Sequence, residues 1–145
     1  MQKNYYLVLI TFLVLTACQS KVIIFDKDST LYAELGGATK INIAITVMVK
    51  RLHGDERLGD LFTDVNDVEL IQNFNDFICQ LSDGGCEYHG AEMEDTHVAL
   101  FITKAEFDRF VSLFIYSMED AKISFSAQNK LLKKLANLRD SVIEL

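Results

Sequence analysis

Proline is absent from all 145 residues of the chain, where about 5% is usual, so nothing in the covalent backbone forces a helix to break. The apolar residues use that freedom. Ile41, Ile45, Met48 and Leu52 recur at intervals of four, three and four, which is one face of a helix of about four turns. Leu70, Phe74, Phe77, Ile78 and Leu81 make a second such face, and Phe107, Phe110, Val111, Phe114 and Met118 a third. Leu131, Leu135, Leu138 and Val142 mark a last helix. The punctuation agrees. LYAEL (Leu31–Leu35) is a stub helix stopped by Gly36-Gly37, and Asn66 with Glu69 reads as a capping box opening the second long helix. Thr103 with Glu106 reads as another. Ser82-Asp83-Gly84-Gly85 ends the second helix, and a loop then runs to Gly90. A short helix over Met93–Leu100 would put Met93 and His97 on one face. Strand-like alternation and internal repeats are both missing. The expected fold is one all-α domain.

With 14 Lys+Arg against 21 Asp+Glu the net charge is −7, which excludes a nucleic-acid binder that needs a basic face. The apolar content has two sources. Tyr5 to Leu15 is an apolar run broken only by Thr11, preceded by Lys3. It is too short to span a bilayer and reads as the core of a signal peptide. Leu15-Thr16-Ala17-Cys18 resembles the bacterial lipobox, with Cys18 as the lipidated residue and Gln19 after it. The expectation is a signal peptide over 1–17, a lipidated N-terminus and tether over 18–30, and a folded domain over 31–145. The lipid would anchor the protein in the cell envelope, at the periplasmic face of an outer membrane.

Few side chains point to chemistry by themselves. His53 closes a helix next to Gly54 and Asp55, where a cation suits the carbonyl end. His89 lies in a glycine-flanked loop and reads as solvated. His97 stands beside Val98, Ala99, Leu100 and Phe101, so it is either a core histidine or a metal ligand. No serine–histidine–aspartate order, phosphate loop or HExxH motif occurs. With Cys18 lipidated, Cys79 and Cys86 form an even pair in an oxidising compartment, and a disulfide between them is expected. Two buried thiols, or a zinc site with His89 that lacks a fourth ligand, are the alternatives.

Four segments together add something the single residues do not. LYAELGG (Leu31–Gly37), DERLGDLF (Asp55–Phe62), GGCEYHGAEMEDTH (Gly84–His97) and FITKAEFDRFV (Phe101–Val111) resemble, in that order, the truncated haemoglobins, group I above all. The resemblance extends from about Leu31 to Val142. It implies a two-over-two helical sandwich around haem b, with a diatomic gas (O2, NO or CO) bound at the iron. It implies His97 as the proximal iron ligand, and Phe62 as the corner phenylalanine on the haem face. Leu70, Phe74 and Phe77 would follow the distal helix, Met93 would pack near the porphyrin, and Tyr88 would donate to a propionate. Three positions depart from the family pattern. Val49 stands where the distal tyrosine is usual, Phe74 where a glutamine is common, and Glu94 where a basic residue often occurs. Both usual donors to the gas are thus replaced, and weak O2 binding is expected. Nitric-oxide dioxygenation is an activity such proteins perform, and it would call for a reductase partner. The competing reading is a globin scaffold without haem, acting as a lipid-anchored interaction module.

Overall fold

The computed structural model describes residues 29–143 and Leu145, so the expected signal peptide, Cys18 and most of the tether lie outside the described residues. Six α-helices follow one another: α1 (Leu31–Glu34), α2 (Gly37–His53), α3 (Asp67–Leu81), α4 (Met93–His97), α5 (Lys104–Asp120) and α6 (Phe125–Ala136). Short 3-10 turns cover Gly59–Phe62 and Arg139–Ser141. Among the described residues there is no strand. The all-α expectation holds.

Local sequence explains most of the boundaries. The Thr30 and Ser124 side chains accept N–H bonds at the starts of α1 and α6. Thr103 and Glu106 form both halves of a capping box at the start of α5. At α3, Asn66 accepts from the N–H groups of Val68 and Glu69. Between α1 and α2 the chain passes through φ +92° at Gly36 and +63° at Gly37, a left-handed pair that side chains with a Cβ resist. Gly37 therefore begins α2 instead of ending α1.

α2 is the central element. Its face of Ile41, Ala44, Ile45, Met48, Val49 and Leu52 is buried, and it packs against both α5 and α3. Leu35, Ile78, Met118 and Leu131 complete a core in which these side chains are 0–1% exposed. Each is worth about 1.5–3 kcal/mol of burial. Polar ties fix the packing. Ser117, fully buried, donates to the Leu113 carbonyl at 2.7 Å and accepts from Arg51 of α2 at 2.8 Å.

A second tie crosses from the end of α2 to α5. Asp55 accepts from Arg109 Nε at 2.7 Å and lies 2.6 Å from Arg109 Nη2. The Arg109 hydrogen bond holds the Asp55 carboxyl below its ordinary 3.8, against the opposing effect of burial. A carboxylate with a lowered folded value contributes stability at neutral pH and loses that contribution as pH falls through the folded value. Asp55→Asn should therefore lower Tm at neutral pH, and the gap from wild type should close only below the ordinary value of 3.8. Thermal unfolding followed by circular dichroism across pH checks this. A gap that stays constant down to full acid unfolding would show that the Asp55 charge is not its origin.

Candidate functional site

The apolar faces of α3 and α5 do not close on each other along their whole length. Between them lies a cavity of about 370 Å³, within the range of small-molecule sites. Its α3 wall is the stripe Leu70, Phe74 and Phe77, continued by Leu58, Leu61, Phe62 and Val65 from the preceding turn. Phe107, Phe110, Val111 and Phe114 of α5 face it, with Leu132, Leu135, Leu138 and Val142 of the C-terminal segment beyond. Phe74 is fixed by edge-on contacts with Phe110 and Phe114, ring centres 6.2 and 5.8 Å apart.

Met93, Thr96 and His97 of α4, then Leu100 and Ile102, close the remaining side. Among the lining residues only Thr96, His97 and Glu106 bring polar side-chain groups other than the Met93 sulfur. His97 is half-buried, and its Nδ1 lies 2.6 Å from the Met93 carbonyl oxygen. A carbonyl only accepts, so Nδ1 carries a proton, and in the neutral imidazole the lone pair is then on Nε2. That is the tautomer a metal-ligating histidine needs, with the other ring nitrogen tied to the backbone. Glu106 accepts from the Thr103 N–H and hydroxyl at 2.8 and 2.7 Å. Those bonds, backbone first, hold its carboxyl below the usual carboxylate range. The Glu106 carboxyl is thereby kept ionised at the edge of an otherwise hydrocarbon wall.

Of the residues singled out from sequence, Phe62, Leu70, Phe74, Phe77, Met93 and His97 all line this one cavity. Tyr88 does not. Its ring packs edge-on against the back of the wall at Phe77, 5.5 Å between centres, and its hydroxyl donates to the Ala91 carbonyl at 3.0 Å. The expected donor to a propionate is therefore already committed to the backbone. Burial, and then the nearby Glu92 charge, push the Tyr88 pKa up, so that donor stays protonated. Val49 is buried at 2% exposure in the core and is not a lining residue. Glu94 is exposed on α4.

Cys79 and Cys86 are joined as a disulfide, with Cα atoms 5.7 Å apart, which leaves neither thiol for a zinc site. Among the described residues no cluster of histidine, cysteine and carboxylates is arranged to hold a metal ion. Gly84 lets the chain turn over the disulfide. A Cβ there would come within 2.6 Å of Cys79 Sγ and 2.7 Å of Tyr32 Cγ. His53 instead pairs with Asp67 at 2.7 Å, and the His89 side chain is 82% exposed.

Helix α4 is shorter than the spacing predicts. It ends at His97, because Val98 turns to extended backbone and Ala99 and Phe101 adopt φ +65° and +50°. The last helix also stops early, at Ala136, and Leu138 and Val142 flank a separate 3-10 turn.

A helical sandwich with one histidine in an aromatic cavity defines a globin-like class, and comparison with known proteins agrees. The profile of the bacterial-like globin family matches residues 30–144, and the chain belongs to that family. It is 21% identical to the group 1 truncated haemoglobin of Tetrahymena pyriformis over 118 residues, 81% of this chain and 98% of the relative. It is 24% identical to the group 1 truncated haemoglobin GlbN of Nostoc commune over 115 residues, 79% of this chain and 98% of that one. The crystal structure of the Tetrahymena pyriformis truncated haemoglobin in its Fe(III) form superposes with a TM-score of 0.77 at 20% identity, covering 81% of this chain and all of the other. The 2/2 haemoglobin of Synechococcus gives 0.75, also at 20% identity and with the same coverage of both chains. The two-over-two truncated-globin fold expected from the sequence is the fold observed.

Proposed function

We propose that this globin binds haem b in the cavity and takes a diatomic gas at the iron. The observation that carries the proposal is the 2.6 Å contact of His97 Nδ1 with the Met93 carbonyl, which leaves Nε2 of the one histidine lining this aromatic-walled cavity for a metal. The walls are mostly aromatic and aliphatic side chains, which suits an apolar macrocycle. When bound, haem supplies an iron centre with one position for a protein ligand and one for a gas. The protein's own residues then have separable tasks. His97 would hold the iron, and the Met93 carbonyl orients its ring. Phe62, Leu70 and Phe74 would exclude water from the opposite face. The sequence has no Cys-x-x-Cys-His motif for covalent attachment, and Cys79 and Cys86 are bonded to each other, which supports haem b.

Absorption spectroscopy tests this. Purified protein should show an intense band near ~400 nm, as for histidine-ligated haem, that shifts with CO in the ferrous state. A protein that stays colourless after haem is added would refute haem binding and leave the interaction-module reading. We further propose that Cys18 carries a lipid holding the globin at the envelope membrane, where a reductase would meet it. Wild type should partition with membranes and Cys18→Ser should not. Equal membrane association of the two would refute the anchor.

A further inference from the structure

The helix that carries His97 is poorly supported by its own length and burial. α4 has five residues, far fewer than an isolated helix needs, and Glu94, Asp95, Thr96 and Val98 are exposed. It packs on the 3-10 turn at Arg139–Ser141, and the loop before it ties it to α3. Cys86 is bonded to Cys79 near the end of α3. Two residues later, the Tyr88 ring rests on Phe77 and its N–H donates to Gln80 Oε1 at 2.6 Å, both of α3. The Tyr88 hydroxyl donates to the Ala91 carbonyl. Two residues beyond, the Met93 carbonyl accepts the Nδ1 proton of His97. A covalent bond, a ring contact and three hydrogen bonds thus lead from α3, on one wall of the cavity, to the histidine on the other.

We propose that Cys79, Cys86 and Tyr88 are positioning residues for His97, forming a clamp whose covalent link is opened and closed by thiol–disulfide exchange. Cys79 is 2% exposed, whereas Cys86 is at the surface. A dithiol reductant therefore reaches Cys86 Sγ first. Its thiolate bonds to Cys86 Sγ, the S–S bond breaks, and Cys79 departs as a thiolate that takes up a proton. The second thiol of the reductant then displaces Cys86, which is protonated in turn, and the reductant leaves as its own disulfide. Two electrons pass from the dithiol to the cystine. With the link open, the loop beyond Gly84 is held to α3 by Tyr88, and α4 opens more often. The consequence for iron rests on the haem reading above; the loosening of α4 does not.

Amide hydrogen exchange on the full chain, without added haem, tests the clamp. The Thr96 and Val98 amides donate to the Glu92 and Glu94 carbonyls at 3.0 and 2.8 Å, so they report the opening of α4. After reduction with a phosphine they should exchange about tenfold faster, and reoxidation should restore the original rates. The amides of α5 should not change. Tyr88→Phe, which keeps the ring contact and loses the bond to Ala91, should give a smaller acceleration with the disulfide intact. Unchanged Thr96 and Val98 rates after reduction, or an equal acceleration in α2 and α5, would overturn the clamp. A second arm uses haem-loaded protein. The Cys79→Ser/Cys86→Ser variant should show a shifted iron–histidine stretching band in the ferrous Raman spectrum, together with haem loss several-fold faster than wild type. An unmoved band would overturn the positioning of His97. A chain that takes up no haem would refute the haem reading, while the exchange arm still decides the clamp.

Discussion

His97→Ala should remove the visible haem band altogether, and millimolar imidazole should restore much of it. His97 is the one histidine among the residues lining the cavity, and alanine at 97 leaves a space that free imidazole can fill. His53→Ala and His89→Ala should leave the spectrum as it is. The first histidine is bonded to Asp67 between the end of α2 and the start of α3, and the second projects into solvent beside Glu87. Absorption spectra of the three variants, purified alike, incubated with the same amount of haem and freed of the unbound excess, make the comparison. A His97→Ala protein that retains haem with the wild-type spectrum would refute the ligand assignment.

Much of this site was legible because local signals and tertiary packing agree. The α5 capping box at Thr103 and Glu106 forms as its letters suggest, and the stripe Leu70, Phe74 and Phe77 faces inward as its spacing requires. What was not legible follows from what periodicity measures. A stripe of apolar residues has one spacing whether it packs on a neighbour or lines a cavity. The α5 stripe therefore signalled a buried face, not that Phe107, Phe110, Val111 and Phe114 would form a binding wall. Val98 to Leu100 read as the end of the Met93–Leu100 helix, yet Ala99, and Phe101 just beyond, take left-handed backbone. Leu100 then lines the cavity edge while Val98 and Phe101 are left largely in water, at 58% and 69% exposure. The C-terminal misreading is milder. A 3-10 turn after α6 preserves the three-and-four spacing closely enough that Leu135, Leu138 and Val142 still reach the same cavity. Tyr88 is the instructive case. A tyrosine near the expected propionates suggested a ligand contact, but the Ala91 carbonyl three residues away satisfies its hydroxyl first. Glu106 is a cap by its spacing, and nothing in the spacing of a capping box reveals that its side chain also borders a cavity.

The wall opposite His97 leads to the second large effect. Bound O2 carries negative charge on its outer atom, and a donor beside it slows release. Leu70 and Phe74 line the cavity and donate nothing, and Val49 lies in the core behind. O2 should therefore leave the haem-loaded protein quickly, while CO, which is less polar, is better retained. Phe74→Gln places an amide with two N–H donors on that wall. A hydrogen bond to a partly charged acceptor is worth about 1.5–3 kcal/mol, so O2 release should slow by roughly 10- to 100-fold, with CO release changing much less. The substitution also removes a ring that touches Phe77, Phe110 and Phe114, so looser packing could alter both ligands together. Phe74→Leu controls for this, since it loses the ring without gaining a donor. It should leave the ratio of O2 to CO release near the wild-type value. Flash photolysis and stopped-flow dissociation on the three proteins measure the ratio. If wild type already releases O2 as slowly as Phe74→Gln, a donor from another element reaches the ligand, and the assignment of Phe74 to the gas-facing wall is wrong.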